Sequence, residues 1–534
     1  MKKKWLLGAF VTLLICGCAV EDDSEKKGNS ENKEKETELL GTFTYNNNGE
    51  ISFTDNEFTS DNENVSFEKK VAIKFNGVND PEVTGLDNDI TLEKDKLRGD
   101  GKTYLIIRSS VNAEYTVSGN CENGALLIFS EKKFKLVLDN LNLRSNNWPA
   151  INIQSGKRCF VELKGENSLI GPGILNLGDN LKNPDYVQGV SDSKDEYLDA
   201  KATLFSEGEL IFKGEGTLNV TGNYKHAICS DDYVRVLSGK VNVTGAPTDG
   251  IHVNDAMYVN GGEISIVASG DGIECDKGFV YVNDGKLTVK SGKVGIKTSE
   301  DKYLPSDALH PFILIEKGDI AVTTSGTTGD GITAGSYLAI TGGKVVVETA
   351  GVSAKGLKSG INDDSTMKCD IVIAKEADVK VTANGNASGA VAVKSAANIY
   401  LRGGKLTVCA QGFGSVGVLA SENIVISGGE NTLYAAGNVL NANEVSFENG
   451  ADLLAIGSEL KVKNVTAKQK YVTGGYPDIS IAVGDSYEIT AYKKGEFKTA
   501  LSNLKMLFTY KDLAEKPVIE IDGIDSSANF ELKP

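Results

Sequence analysis

Three sets of side chains could do chemistry if the fold brings each set together. The first is aromatic: Tyr233, Tyr258, Phe279, Tyr281, Tyr337 and Tyr400. Stacked outward rings make flat apolar platforms with polar tips, a surface on which the C–H faces of sugar rings can lie. A covering loop or cap would instead turn the same rings into plain packing. The second set is cationic. Lys240, Lys286, Lys344 and Lys405 recur at one position, shared with Glu263 and Glu430, and Asn242, Ser265, Thr288 and Thr407 follow two residues later. Such a column could track an anionic polymer, or serve only solubility and edge protection. The third set is acidic. Asp249, Asp271 and Asp330 each precede a Gly-Ile step, and Asp276 lies in a neighbouring turn with Asp231, Asp232 and Asp255. Stacked carboxylates repel unless they accept turn N–H bonds, take up a proton or hold a cation. Calcium is the cation suited to oxygen ligands on flexible turns. Turn capping and calcium binding both stay open.

These columns exist only if repeats stack in register. Gly250-Ile251 precedes Gly261-Gly262-Glu263-Ile264-Ser265-Ile266; Gly272-Ile273 precedes Asp284-Gly285-Lys286-Leu287-Thr288-Val289; Gly331-Ile332 precedes Gly342-Gly343-Lys344-Val345-Val346-Val347. The Gly-Ile steps lie 22 or 23 residues apart, or 36 where a loop is inserted. Apolar residues alternate within each unit, the period of a strand with one buried face. Repetition at this length signals a stacked array rather than several domains. The expected fold is all-β: a right-handed single-stranded parallel β-helix with a small C-terminal β cap. Aligned on the central glycines 239, 262, 285, 343, 404 and 429, the flanking apolar pairs Met257/Val259 and Val280/Val282 point inward, and Tyr258 and Tyr281 point outward one ladder step apart.

The chain starts with Lys2-Lys3-Lys4 and an apolar run from Trp5 to Ile15, too short to span a bilayer. Ile15-Cys16-Gly17-Cys18 follows and resembles a bacterial lipobox, with Cys18 the better acceptor because Gly17 is small. Acylation there would hold the protein on a membrane by lipid alone. Residues 1–18 are thus expected to be a lipoprotein signal peptide. Residues 19–38 are almost wholly polar and read as a disordered tether. Glu21, Asp22 and Asp23 look like an acidic export tag of surface lipoproteins, so the outer membrane of a Gram-negative cell, facing outward, is the expected location. Residues 39–120 should hold an N-terminal β cap and the first coils, 121–457 the repeat domain, and 458–534 a C-terminal β cap, with Ile479 to Ile481 and Tyr487 to Ile489 forming a hairpin across Gly484-Asp485.

Composition excludes some partners. The net charge of −17 argues against nucleic acid. Three His in the whole chain make a histidine-based metal or triad enzyme unexpected. Cys121, Cys159, Cys229, Cys275, Cys369 and Cys409 form no C-x-x-C pair and suit single small apolar positions. A monomer is expected.

The segments LVLDNLNLRS (Leu136 to Ser145), AINIQSGKRCFVELKGENSL (Ala150 to Leu169) and GEGTLNVTGN (Gly214 to Asn223), with the Gly-Ile coils, carry a resemblance from about Val71 to Gly457. The chain resembles the bacterial extracellular carbohydrate-binding β-helix family of pectate-lyase-like fold. That resemblance implies binding of plant-type polysaccharide, cellulose-like or polygalacturonate, with calcium in the turns. It brings no catalytic motif.

A calcium-dependent polysaccharide lyase is the alternative activity. It needs converging carboxylates with a Lys or Arg base, and none of Arg98, Arg108, Arg144, Arg158, Arg235 and Arg402 is flanked by such a cluster. The adjacent pairs Asp231-Asp232 and Asp363-Asp364 would point to opposite faces of a strand, which suits hydrolysis poorly. A structural or adhesive surface protein is the third reading. No enzyme activity is expected.

Overall fold

Alternating Val, Ile and Leu with few helix-forming runs leave this chain only strands to build with. The computed structural model describes residues 10–16, 39–46, 51–63, 65–94, 103–173, 180–185, 197–299, 311–360, 369–476 and 480–534. Cys18, the tether, Ile479, Asp363 and Asp364 lie outside the described residues. Within them the chain is all-β, with one α-helix, Phe58–Asn62, and one short 3-10 turn.

Equivalent positions of consecutive repeats pair in parallel. Ile251 sits opposite Ile273, Ile273 opposite Ile296, Ile296 opposite Ile332 and Ile332 opposite Leu357. Met257 faces Val280, Tyr258 faces Tyr281 and Val259 faces Val282. The inward residues form one continuous buried core running from Val71 to Leu507. Each fully buried aliphatic contributes roughly 1.5–3 kcal/mol, and one repeat alone has too few of them to fold. The Gly of each Gly-Ile step is fixed by this stacking. A Cβ on Gly272 would come 2.2 Å from Val289 Cγ1 and 2.4 Å from the Gly295 carbonyl oxygen.

The expected right-handed single-stranded parallel β-helix is corrected. Central glycines 262, 285, 404 and 429 lie inside strands, while Gly239 and Gly343 sit in turns between strands. Gly262, with φ +70, lies inside Ala256–Ala268, which pairs with Tyr233–Val236 through its first half and with Lys240–Gly245 through its second. Phe134–Arg144 likewise pairs with both Cys159–Lys164 and Glu166–Ile170. Leu210–Gly214 and Thr217–Thr221 join the two halves. The result is a closed ring of eight parallel strands, a barrel, within a sheet of 37 strands. Bulged glycines let a strand turn a corner without breaking its ladder.

Both ends are finished with antiparallel pairs. Ile90–Lys94 lies against Tyr104–Ser109 at one end. At the other, Leu504–Thr509 pairs with Leu453–Ala467 and with Tyr471–Tyr476. A four-stranded antiparallel sheet follows the stack, and its apolar side forms a separate core with Leu454 and Ile456. The expected hairpin across Gly484-Asp485 is not formed. Ser486–Ile489 pairs instead with Lys493–Glu496, and Ile481 bridges to Leu501. The six cysteines named above are buried, and none of them is in a disulfide among the described residues.

Candidate carbohydrate-binding face

The aromatic column is real but covered. Tyr233, Tyr258, Phe279, Tyr281 and Tyr337 are all 5 % exposed or less. The chain before the first repeat lies over them. Leu39–Asn46 and Ile51–Asp55 form an antiparallel pair. Phe43 stacks on Phe312 at 4.4 Å, Phe53 packs on Tyr281 at 4.3 Å, and Tyr258 Oη donates to the Leu40 carbonyl at 2.9 Å. Charge fastens the cover. Arg235 reaches Asp55 at 2.6 Å and Asp61 at 2.5 Å, with its guanidinium 3.7 Å over the Tyr258 ring. Arg158 pairs with Glu57 at 2.5 Å and Asp61 at 3.0 Å. Ordering rings into an apolar layer removes the same faces a sugar would need, so the expected platform is corrected to packing. Tyr400 remains half-buried under Arg402, 4.5 Å above its ring.

The lysine column is also corrected. In register it reads Lys240, Glu263, Lys286, Asp319, Lys344, Asp378, Lys405, Glu430, a strict alternation of sign. Glu263 lies 3.2 Å from Lys240 and 3.3 Å from Lys286, which hold its carboxyl below the usual range. A column that neutralises itself offers no track for a polyanion. Alignment on Gly-Gly hid Asp319 and Asp378, which follow Lys317-Gly318 and Glu376-Ala377 instead.

The adjacent column is uncovered and uncharged. Asn120, Asn142, Ser168, Asn219, Asn242, Ser265 and Thr288 stand one above another on consecutive strands. Asn142 Nδ2 donates to Asn120 Oδ1 at 2.7 Å and Asn242 Nδ2 to Asn219 Oδ1 at 3.0 Å. All seven are exposed or half-buried. A side-chain amide has two donor hydrogens and an oxygen with two lone pairs, so a ladder bond leaves capacity for a ligand hydroxyl. In register the column continues to Asn76 before Asn120, and after Thr288 it is interrupted at Ala321 and Val346 before Lys380, Thr407 and Thr432. The periodic pattern predicted Asn242, Ser265, Thr288 and Thr407, the last of which stands beyond the interruption. It missed Asn120, Asn142, Ser168 and Asn219 because the early coils lack the Gly-Ile signature.

The acidic turns show what holds stacked carboxylates together. Asp249 Oδ1 accepts the Asp271 N–H at 2.9 Å, Asp271 Oδ1 the Val294 N–H at 2.8 Å, and Asp330 Oδ1 the Lys355 N–H at 2.7 Å. Their second oxygens face basic side chains. Asp249 Oδ2 lies 3.1 Å from His226 Nδ1, Asp271 Oδ2 is 3.4 Å from Lys297 Nζ, and Asp330 Oδ2 is 3.6 Å from Lys358 Nζ. Asp276 Oδ2 lies 3.4 Å from His252 Nε2. Burial opposes charge on His252, but Asp249, Asp276 and Glu274 outweigh it and push its pKa up to about 11. Calcium takes about six to eight oxygens around one point. Here Asp249, Asp271 and Asp330 each divide their oxygens between a backbone N–H and a basic side chain, Asp276 faces His252, and Asp330 belongs to a separate group. The expected set Asp249, Asp271, Asp276 and Asp330 does not fit that ion.

Residues 100–310 match the family described as carbohydrate-binding domain-containing protein. The matched span is similar to carbohydrate-binding domains. This supports carbohydrate as a partner without specifying the β-helix family expected from sequence. A solved structure, the polysaccharide lyase-like protein from C. thermocellum in its gadolinium derivative, is similar at 18% identity over 58% of this chain and 96% of that chain, with a TM-score of 0.37. A likeness at that score fixes neither fold nor activity. No curated protein matches the chain. The matched span contains the whole Asn120-to-Thr288 column and ends before Ala321.

Proposed function

We propose that this is an exported lipoprotein, anchored through Cys18, that holds an uncharged plant-type polysaccharide along the amide and hydroxyl column from Asn120 to Thr288. One observation carries the reading: the carbohydrate-binding match at residues 100–310 contains all seven residues of the uncharged run from Asn120 to Thr288. A polymer lying along the stack meets a hydrogen-bonding group at every ladder step, about 4.8 Å apart. Lys240 and Lys286 flank the column, and each is balanced by Glu263. The overall charge of −17 would repel a polyanion. Both features favour a cellulose-like polymer over polygalacturonate.

The test is retention of the mature protein on insoluble cellulose and on immobilised polygalacturonate. Retention should appear on the first, and Asn242→Arg with Ser265→Arg should reduce it at least about tenfold, the loss of one or two hydrogen bonds at about 0.5–1.5 kcal/mol each plus steric blockage. Both positions lie on an exposed face, so the melting temperature should hold. Unchanged retention by the folded variant would contradict the assignment of this face.

A further inference from the structure

We propose that the turns around His226, Asp249 and His252 form a binding site for one divalent transition-metal cation of the zinc class. His226 opens the strand His226–Ser230, and His252 is the middle residue of Ile251–Val253 on the next repeat. Their rings stack with centroids 4.5 Å apart. Asp249 Oδ2 sits between them, 3.1 Å from His226 Nδ1 and 3.6 Å from His252 Nδ1. Glu274 Oε2, one repeat further on, lies 3.6 Å from the same His252 nitrogen.

Those separations have a chemical meaning. Ligand atoms bound to zinc at 2.0–2.1 Å in a tetrahedron stand about 3.3 Å apart. The pairs here lie close to that spacing, so small side-chain movements would bring the atoms onto one ion. The donor set also discriminates. Two imidazoles with carboxylates suit zinc, nickel or copper, whereas calcium and magnesium take oxygen shells. A second observation points inward. His252 Nδ1 is fully buried and beyond hydrogen-bond reach of its ion-pair partners, the Asp249 and Glu274 carboxylate oxygens at 3.6 Å each. A metal displacing the ring proton would join this nitrogen to those carboxylates.

The surroundings resemble a built outer shell. Asp249 Oδ1 is held by the Asp271 N–H, and His252 Nε2 faces Asp276. Partners of this kind orient metal ligands. Lys297 lies on the far side of Glu274, and the two are paired. Asp330 marks the contrast. It occupies the same turn position three repeats later and faces Lys358 instead of imidazole.

The experiment uses the untagged mature chain, stripped with chelator and titrated with Zn²⁺, Ca²⁺ or Mg²⁺ alone. One Zn²⁺ should bind per chain and raise the melting temperature, with Ca²⁺ and Mg²⁺ at equal concentration doing neither. His252→Gln and His226→Gln should each weaken Zn²⁺ binding at least tenfold, and Asp330→Asn should leave it unchanged. Co²⁺ in place of Zn²⁺ should give the visible absorption of a four- or five-coordinate nitrogen and oxygen site, lost in His252→Gln. The proposal is overturned by no Zn²⁺ binding, by binding that survives both histidine variants, or by calcium acting as strongly as zinc. Loss of polysaccharide retention by the Asn242 and Ser265 variants leaves this result untouched, because the site lies on a different strand face.

Discussion

Asn219 and Asn242 face each other across adjacent parallel strands, with Asn242 Nδ2 donating to Asn219 Oδ1 at 3.0 Å. The bond fixes both amide planes before any ligand arrives. Side-chain ordering at an interface costs about 0.5–1.5 kcal/mol per mobile side chain, and here much of that cost falls on folding rather than on binding. A flat row of prearranged amides suits an extended polymer better than a small enclosed sugar.

Binding along this row should depend little on salt. Lys240, Glu263, Lys286 and Asp319 cancel along the neighbouring column. Raising ionic strength from about 0.05 M to about 0.5 M, which shortens the screening length severalfold, should change retention on cellulose less than twofold. A steep fall would mean that charge, not the amide row, holds the ligand.

The N-terminal cover should depend on one buried carboxylate. Asp61 is fully buried and pairs with Arg235, also fully buried, and with Arg158. Asp61→Asn would leave a buried guanidinium short of its partner, a loss of about 3–5 kcal/mol when such a pair is broken. Limited proteolysis should then cut within residues 39–67 faster than in the parent, while the repeat region resists. Equal protection in both proteins would show that apolar contacts with Phe43 and Phe53 suffice.

Stability should fall between acid and neutral pH through Glu207. Burial raises its pKa, Asp231 and Asp199 add repulsion, and Lys201 opposes them, with the balance near about 7. The ordinary value is 4.5, so the folded state holds a proton there that the unfolded chain releases. The favourable contribution is complete below about 4.5 and lost as pH rises through about 7. The side chain is partly solvated, so the effect should be about 1 kcal/mol. Glu207→Gln should therefore gain on the parent as pH goes from 5 to 8, read as the shift in denaturant midpoint. A gap that stays constant with pH would remove Glu207 as the source.

Gly272 should tolerate no side chain. Its Cβ would strike both Val289 and the Gly295 carbonyl, and overpacking of this kind costs typically about 1–3 kcal/mol. Gly272→Ala should lower the unfolding midpoint accordingly, whereas Gly245→Ala, with nothing within 4 Å of its Cβ, should not. Equal effects would contradict the stacking geometry.

Stacking was legible because the Gly-Ile step and its alternating apolar residues repeat at nearly constant spacing. Tyr258 and Tyr281 do stand opposite each other, and Val259 and Val282 are buried. What lay on top of the rings was not legible. The cover comes from Leu39–Asn46, Ile51–Asp55 and Phe58–Asn62, some 200 positions away, and periodicity says nothing about distant contacts. The closed ring was not legible because repeat spacing shows that units stack, not that one strand pairs with two. The alternating charge column emerged only once Asp319 and Asp378 were placed by pairing rather than by motif. His226 and His252 were passed over because three histidines in 534 residues suggested no site, although one ladder step suffices to bring two together.

The central claim is that a polymer lies along the row from Asn120 to Thr288. Calorimetric titration with cello-oligosaccharides of increasing length tests it most directly. The row crosses seven strands, so six ladder steps span about 29 Å. Affinity should climb with each added sugar until that span is filled and then level off. An affinity already maximal for a disaccharide, or no binding at any length, would contradict the claim.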